Sequence, residues 1–281
     1  MPQIGELLPG ALTIPAKGVD AVLGPLRASW GHPERRHNNI DFNREKGDIM
    51  KQTTEENIQK KADLSYDAIK KNEVVNTYIR QADLALSTLG FTEHSFAHCT
   101  LVAEKAGYIL STLGYDERMI ELVKIAGYLH DIGNLINRVD HSQSGAMMAF
   151  RILDHLDFPP EEIGLIVSAI GNHDEGSGVP VSPLAAALIL ADKSDVRRNR
   201  VRNSDESTFD IHDRVNYSVT KAELKVNSAH TIIKLKLTVD TRYGSVMDYF
   251  EIFLQRMILC RKAAEKLGLQ FKLMINEQQL I

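Results

Sequence analysis

Residues 116–134 read DERMIELVKIAGYLHDIGN. The first part of this stretch carries apolar side chains at the three- and four-residue spacing of a helix that is buried on one face. Asp116 is suited to cap the N-terminus of that helix, and Gly133 is suited to stop it. The stretch therefore predicts a helix that ends in an adjacent histidine and aspartate, His130 and Asp131.

Helical spacing continues on both sides of this stretch, from about residue 54 to 202. The flanking patterns predict five further helices: one with Val74, Tyr78, Ala82 and Ala85 on one face, one capped at Thr92, one over residues 141–156, one after Pro159-Pro160, and one that opens at Ser182-Pro183 and runs through Asp192 to about Val201. We therefore expect an all-helical domain over residues 50–214.

After residue 215 the pattern changes to the two-residue alternation of strands. Apolar side chains alternate with charged ones over residues 222–226 and 233–239, with a plausible hairpin turn at 227–230. Residues 246–267 return to helical spacing, and 271–275 read as a last strand. The fold class is therefore α+β, a helical bundle followed by a small ββαβ domain over residues 215–281.

Residues 1–49 differ in composition from the rest of the chain. They hold more than half of the prolines and show neither helical nor strand spacing beyond a turn. One interpretation is a disordered tail. The other is a mis-called start, because the residues before Met50 back-translate to a purine-rich string that is typical of a bacterial ribosome-binding site. In that case the native chain begins at Met50.

Composition limits the classes of function. A hydrophobic content of 43%, a charged content of 25% and a net charge of −4 are those of an ordinary soluble globular protein. The two cysteines, Cys99 and Cys260, build no disulfide framework. No apolar run is long enough to cross a membrane, and no signal-peptide pattern begins the chain. We expect a cytoplasmic protein.

Histidines and aspartates at helix ends are the residues able to bind a metal. Imidazole and carboxylate ligands suit Mn, Fe, Co, Ni or Zn. Adjacent helix positions point about 100° apart, so His130 and Asp131 can reach one metal only where the helix ends or loosens. Asp192 closes an apolar stretch, where a buried carboxylate needs a partner such as a metal.

These residues resemble the H…HD…D signature of the HD-domain phosphohydrolases. The matching segments are His98-Cys-Thr-Leu-Val-Ala103, His130-Asp-Ile-Gly133 and Ala191-Asp192. Their order and helical context agree with the family over about residues 75–200. The resemblance implies a bundle of helices in which His98, His130, Asp131 and Asp192 hold a catalytic divalent metal.

Two more histidines, His141 and His173, resemble the second-metal ligands of two-metal members of the superfamily. In those members the aspartate at the position of Asp131 bridges both metals. The HD-GYP cyclic-dinucleotide phosphodiesterases share this layout, and residues 176–180 are similar to their GSGYP string. Val179, Asn172 and Asn134 depart from that group, which argues against assuming cyclic di-GMP as the substrate.

The resemblance implies hydrolysis by metal-activated water, with one or two cations lowering the pKa of water and neutralising phosphoryl charge. We predict Asp131, as bridging ligand, and Lys193 as the catalytic residues. A phosphate also needs cations beyond the metal, and Lys193, Arg197 and Arg198 follow Asp192 closely. We predict these three as substrate-binding residues.

The primary hypothesis is a metal-dependent phosphohydrolase that acts on a nucleotide phosphoester, with a phosphodiester favoured. The alternatives are an HD-type diiron oxygenase, which uses the same ligand set, and a nucleotide-sensing regulatory protein. The expected partner is a small phosphorylated substrate and not a membrane. The C-terminal domain, with ten Lys and Arg against six Asp and Glu, can form a homodimer through its sheet edge or bind nucleic acid through Lys221, Lys225, Lys234 and Lys236.

Overall fold

The computed structural model describes residues 64–280. The two interpretations of residues 1–49, the start at Met50 and the helical spacing before residue 64 lie outside the described residues. Within them the helices that precede the sheet are α1 (Tyr66–Lys71), α2 (Glu73–Thr88), α3 (Phe96–Thr112), α4 (Glu117–Leu129), α5 (His141–His155), α6 (Pro160–Gly171), α7 (Pro183–Lys193) and α8 (Ile211–Ser218).

Helix α4 is the one predicted from residues 116–134. Asp116 caps it, because its side chain accepts a 2.9 Å hydrogen bond from the backbone N–H of Met119. The helix ends at Leu129, earlier than the predicted stop at Gly133, and a 3-10 turn follows over Ile132–Leu135. The chain thus leaves α-helical geometry at the His130-Asp131 pair, with Asp131 at φ −96° and ψ 1°.

Helix α7 lies at the centre of the bundle. Its residues from Leu184 to Ala191 are all buried, and it packs against α3, α4 and α6. Ser182 caps it as predicted, through the backbone N–H of Ala185. The helix ends at Lys193 and not near Val201, so the prediction of its C-terminal end was wrong. The helix predicted to start at Thr92 is capped instead by Ser95.

Two glycines set how closely the site-bearing helices approach. A Cβ added at Gly127 of α4 would lie 2.7 Å from the backbone Cα of Ala103 in α3. A Cβ added at Gly133 would lie 1.9 Å from the carbonyl oxygen of His141, at the start of α5. Both positions therefore require glycine, and the first turn of α5 lies directly against the His130-Asp131 segment.

The C-terminal part contains β1 (Val219–Val226), β2 (Ile232–Val239), α9 (Val246–Lys266), β3 (Gln270–Ile275) and a short β4 (Gln278–Gln279). Strands β1 and β2 pair antiparallel, and β2 and β3 pair parallel across α9. The predicted ββαβ order is confirmed, with β4 added at the edge. Helix α9 also packs against α7, so the C-terminal part contacts the central helix of the bundle. The predicted boundary at residue 214 stays a prediction.

The solvent face of this sheet is rich in lysine. In the strand register Lys225 lies opposite Lys234, which in turn lies opposite Lys272. Like charges directly opposite each other weaken strand pairing, so this row does not stabilise the sheet. Because the row is positively charged, it is a reason to test binding of nucleic acid. Binding of nucleic acid through this row and dimerisation through the edge of the sheet both stay predictions. Within residues 64–280 no helix is long and apolar enough to span a bilayer.

Candidate metal centre

The bundle brings four histidines together from separate segments. His98 lies in the first turn of α3, His130 follows α4, His141 begins α5, and His173 follows α6. All four are buried. They are far apart in sequence, so their meeting depends on the packing of the whole bundle.

Each imidazole is held by a hydrogen bond at Nδ1. His130, His141 and His173 bond to the backbone carbonyls of the residues three positions earlier, at 2.8, 3.1 and 2.6 Å. His98 Nδ1 lies 2.8 Å from a carboxylate oxygen of Asp195. Because an acceptor at Nδ1 favours a proton on that nitrogen, Nε2 is the nitrogen left to bind either a cation or a second proton.

The Nε2 atoms face one another in two pairs. His98 Nε2 lies 3.3 Å from His130 Nε2, and His141 Nε2 lies 3.2 Å from His173 Nε2. Two lone pairs at such distances repel each other unless a proton or a cation lies between them. This donor chemistry fits a metal ion shared by each pair.

Asp131 lies between the two pairs. Its Oδ2 is 3.5 Å from His98 Nε2 and 3.2 Å from His130 Nε2, whereas its Oδ1 is 3.6 Å from His141 Nε2 and 3.9 Å from His173 Nε2. Each carboxylate oxygen therefore faces a different pair. This is the geometry that a carboxylate bridging two cations would have.

Asp192 completes the half of the centre that contains His98. Its Oδ1 lies 3.4 Å from His98 Nε2 and 3.7 Å from His130 Nε2. The candidate ligand atoms form three overlapping groups, each with its atoms within 4.8 Å of one another. The structure thus brings together all of the predicted metal ligands, namely His98, His130, Asp131, His141, His173 and Asp192.

The charges of these side chains are strongly coupled. Burial lowers the pKa of His130, but the carboxylates of Asp131 and Asp192 outweigh it and raise that pKa to about 10. Burial raises the pKa of Asp131, but His130 and His98 outweigh burial and hold this pKa well below its usual range. Burial keeps the pKa of His173 well below its usual range. A divalent cation competes with protons for these same nitrogen atoms.

Asp195 is a supporting residue that the sequence analysis missed. It is buried, it accepts the hydrogen bond of His98 Nδ1, and it also pairs with Arg197 at 2.6 Å. Burial raises its pKa, but the hydrogen bond from His98 and the nearby Arg200 hold that pKa well below the usual range. Its position three residues after Asp192, just past the end of α7, was the available signal.

Loss of the Asp195 carboxylate should weaken metal binding. We expect Asp195→Ala to lower metal affinity by roughly 10- to 100-fold, the usual effect of removing a carboxylate that orients a histidine ligand. Asp195→Asn should lose less, because its amide oxygen can still accept from His98 Nδ1. Competition with a chromophoric chelator measures the affinity, and equal affinity in wild type and Asp195→Ala would show that this hydrogen bond is dispensable.

Lys193 is buried beside the centre and is already paired. Its Nζ lies 2.9 Å from Asp192 Oδ2 and 2.6 Å from Glu175 Oε2. Glu175 in turn accepts a 2.8 Å hydrogen bond from Arg256 of α9. A chain of alternating charges thus runs from the C-terminal helix to a candidate metal ligand. The predicted catalytic and substrate-binding roles of Lys193 stay predictions, although its position at the centre agrees with the sequence analysis.

Arg197 and Arg198 make their contacts outside the ligand cluster. Arg197 pairs with Asp195. The Cζ atom of Arg198 lies 4.4 Å from the ring centroid of Tyr217, and its Nε donates a hydrogen bond to the backbone carbonyl oxygen of that residue. The physical reason is that α7 ends at Lys193, so neither arginine continues the helical phase of Asp192. The structure does not bring these two predicted substrate-binding residues to the ligand cluster.

Two further polar residues lie at the edge of the centre. Asn134 donates a 3.0 Å hydrogen bond to Asp131 Oδ1, and so holds the carboxylate oxygen that faces His141. Asp174 Oδ1 lies 3.9 Å from His141 Nε2. By sequence Asn134 is only a departure from a related group, whereas in the structure it contacts the central carboxylate of Asp131.

Comparison with known proteins identifies a known domain in the part of the chain that carries this centre. The family model for the HD domain matches residues 95–197. An uncharacterized protein of Methanocaldococcus jannaschii is 28% identical over 184 residues, which cover 57% of this chain and 70% of the relative.

A solved structure of a predicted HD superfamily hydrolase from an uncultured Thermotogales bacterium is 24% identical. The match covers 47% of this chain and 73% of that one, with a TM-score of 0.37. The matched family segment contains all six candidate ligands, and HD domains bind divalent metals. Residues 95–197 therefore match the HD domain, and the six candidate ligands within this segment could hold a divalent metal.

Proposed function

We propose that this protein is a two-metal phosphohydrolase that hydrolyses a nucleotide phosphoester, with a phosphodiester favoured. The observation that carries the proposal is the position of Asp131, whose two carboxylate oxygens face two separate histidine pairs. Two cations a few ångströms apart suit an in-line displacement at phosphorus. One half would be held by His98, His130 and Asp192, and the other by His141 and His173.

Bound divalent cations would supply the Lewis acidity that acidifies water and neutralises phosphoryl charge. The protein's own contribution is orientation. The Nδ1 hydrogen bonds fix the direction of each Nε2 lone pair, and Asn134 fixes one oxygen of Asp131. Such prearranged polar groups need little reorganisation during the reaction.

Two substitutions test the second metal position. His141→Ala and His173→Ala should each lower the metal content from two equivalents toward one, because each removes a ligand from one half of the centre and leaves the other half intact. Elemental analysis of purified protein gives the stoichiometry. Metal content that is unchanged in both variants would contradict the two-metal assignment.

The reaction itself is tested with a substrate panel. We expect the Mn²⁺-loaded protein to hydrolyse nucleotide phosphodiesters, and bis-p-nitrophenyl phosphate more slowly. Phosphomonoesters, linear diesters and cyclic diesters are compared at equal concentration, with release of phosphate or nucleotide as the readout. Absence of hydrolysis across the panel, with metal content intact, would contradict a phosphohydrolase.

The second candidate is a diiron oxygenase. The same observation favours it, because four imidazoles and a bridging carboxylate also suit iron. The iron-loaded protein is therefore assayed for oxygen consumption with the same substrates. Oxygen uptake without phosphate or nucleotide release would select this alternative. A purely regulatory protein has less support, since binding alone does not require a complete ligand set.

We also propose a cytoplasmic location. This proposal rests on Cys99 and Cys260, which are both buried and both free of disulfides. Free thiols persist in reducing compartments.

A further inference from the structure

Arg138 reaches the candidate metal centre from the loop between the 3-10 turn and α5. Its Nη1 lies 3.3 Å from Asn134 Oδ1 and 3.4 Å from His141 Nε2. The guanidinium also lies over the ring of Phe91, with Cζ at 5.8 Å from the ring centroid. The side chain is half-buried, so one part of it faces the centre and another part remains open to solvent.

The charge of Arg138 is not neutralised in the way that other nearby cations are. Lys193 pairs with Asp192 and Glu175, and Arg197 pairs with Asp195. In residues 64–280, by contrast, no carboxylate oxygen lies within 4.0 Å of a guanidinium nitrogen of Arg138. Its hydrogen-bond partners at the centre are an amide oxygen and an imidazole nitrogen.

The imidazole contact is the informative one. His141 Nε2 is a candidate metal-ligand atom, 3.6 Å from Asp131 Oδ1. When its lone pair is donated to a cation, the N–H group of Arg138 loses this acceptor. The guanidinium would then lie beside a divalent cation, and like charges at that distance repel each other unless an anion lies between them.

We propose that Arg138 binds the substrate's phosphoryl group on the side of His141 and His173. Its N–H groups donate to non-bridging phosphate oxygens, which replace the acceptor lost from His141. A guanidinium offers two parallel donors in a fixed plane, which matches a phosphate better than an ammonium does. The inference rests on the proposed function, and it assigns to Arg138 the role that the sequence analysis gave to Lys193, Arg197 and Arg198.

The test uses inorganic phosphate as the probe and the metal-loaded full chain. Isothermal titration compares wild type with Arg138→Met, Arg138→Lys and a matched control, Arg261→Met. Arg261 is exposed on α9, where it pairs with Glu265 one turn further on. Arg138→Met should weaken phosphate binding by roughly 10- to 100-fold, the range expected for hydrogen bonds to a charged group. Arg138→Lys should recover part of the affinity, and Arg261→Met should match wild type.

Metal content is measured on every sample by elemental analysis, and it should be equal in all of them. Loss of metal in Arg138→Met would make Arg138 a support for the metal centre and overturn the proposal. Equal phosphate affinity in wild type and Arg138→Met, or no phosphate binding by metal-loaded wild type, would also overturn it.

The outcomes separate this inference from the proposed function. Phosphate binding that depends on Arg138, in a protein that hydrolyses none of the phosphoesters, supports the inference and contradicts the function. Hydrolysis with the same KM in wild type and Arg138→Met supports the function and contradicts the inference. A raised KM in Arg138→Met supports both.

Discussion

Asp131→Asn is expected to abolish hydrolysis and to remove most of the bound metal. Its two carboxylate oxygens face different histidine pairs, and an amide supplies one oxygen without the negative charge. Removal of a residue that only orients a ligand already lowers metal affinity by roughly 10- to 100-fold. Loss of a shared ligand should therefore lower metal affinity by more than about 100-fold. Chelator competition and elemental analysis measure the change.

A matched control for this substitution is Asp154→Asn. Asp154 is likewise an aspartate of the helical bundle, in α5, but its side chain is exposed. It should keep wild-type metal content and activity. Circular dichroism of the metal-free variants shows whether each is folded. If folded Asp131→Asn retained two equivalents of metal and its activity, Asp131 could not be the shared ligand.

The positions of the ligands were largely predictable because they follow from local rules. The sequence predicted that His130 and Asp131 could converge only where the helix ends. The structure places the end of α4 at Leu129, so both residues lie in a non-helical turn. Gly133 permits α5 to begin against this turn, which brings His141 close to Asp131. Motif order and helix signals were sufficient for this part of the fold.

The residues that support the ligands were not predictable in the same way. His98 and Asp195 are 97 positions apart, and Glu175 and Arg256 are 81 positions apart. Such contacts depend on which helices pack together, and no short spacing encodes them. Arg197 and Arg198 show the same limit, because they follow Asp192 closely in sequence but their observed partners lie outside the ligand cluster once α7 has ended at Lys193. Their predicted role in substrate binding stays a prediction.

The charged chain beside the centre gives the C-terminal helix a physical link to the metal ligands. Arg256 of α9 contacts Glu175, which contacts Lys193, which contacts Asp192. Burial raises the pKa of Glu175, but the neighbouring Lys193 and Arg256 hold it well below its usual range. Glu175 is therefore ionised and separates two cations that would otherwise face each other.

Glu175→Gln should destabilise the protein by about 2 kcal/mol. Breaking one partner of a fully buried ion pair costs roughly 3–5 kcal/mol. The expected value is lower here because the side chains of Glu175 and Arg256 are 24% and 23% exposed, so water screens part of the repulsion. Denaturant unfolding of the metal-free variants measures the change in the free energy of unfolding.

A double-mutant cycle decides whether that loss comes from the charged chain. Arg256→Met removes the cation that Glu175→Gln would leave unpaired, so the double variant should be more stable than the sum of the two single changes predicts. Residues in one ion-pair network show coupling energies of about 0.5–3 kcal/mol. Additive effects, or a single-variant change below about 0.5 kcal/mol, would mean that Glu175 does not link α9 to Asp192. If the two residues are coupled and the variants also bind metal more weakly, the C-terminal helix supports the metal centre through this chain of charges.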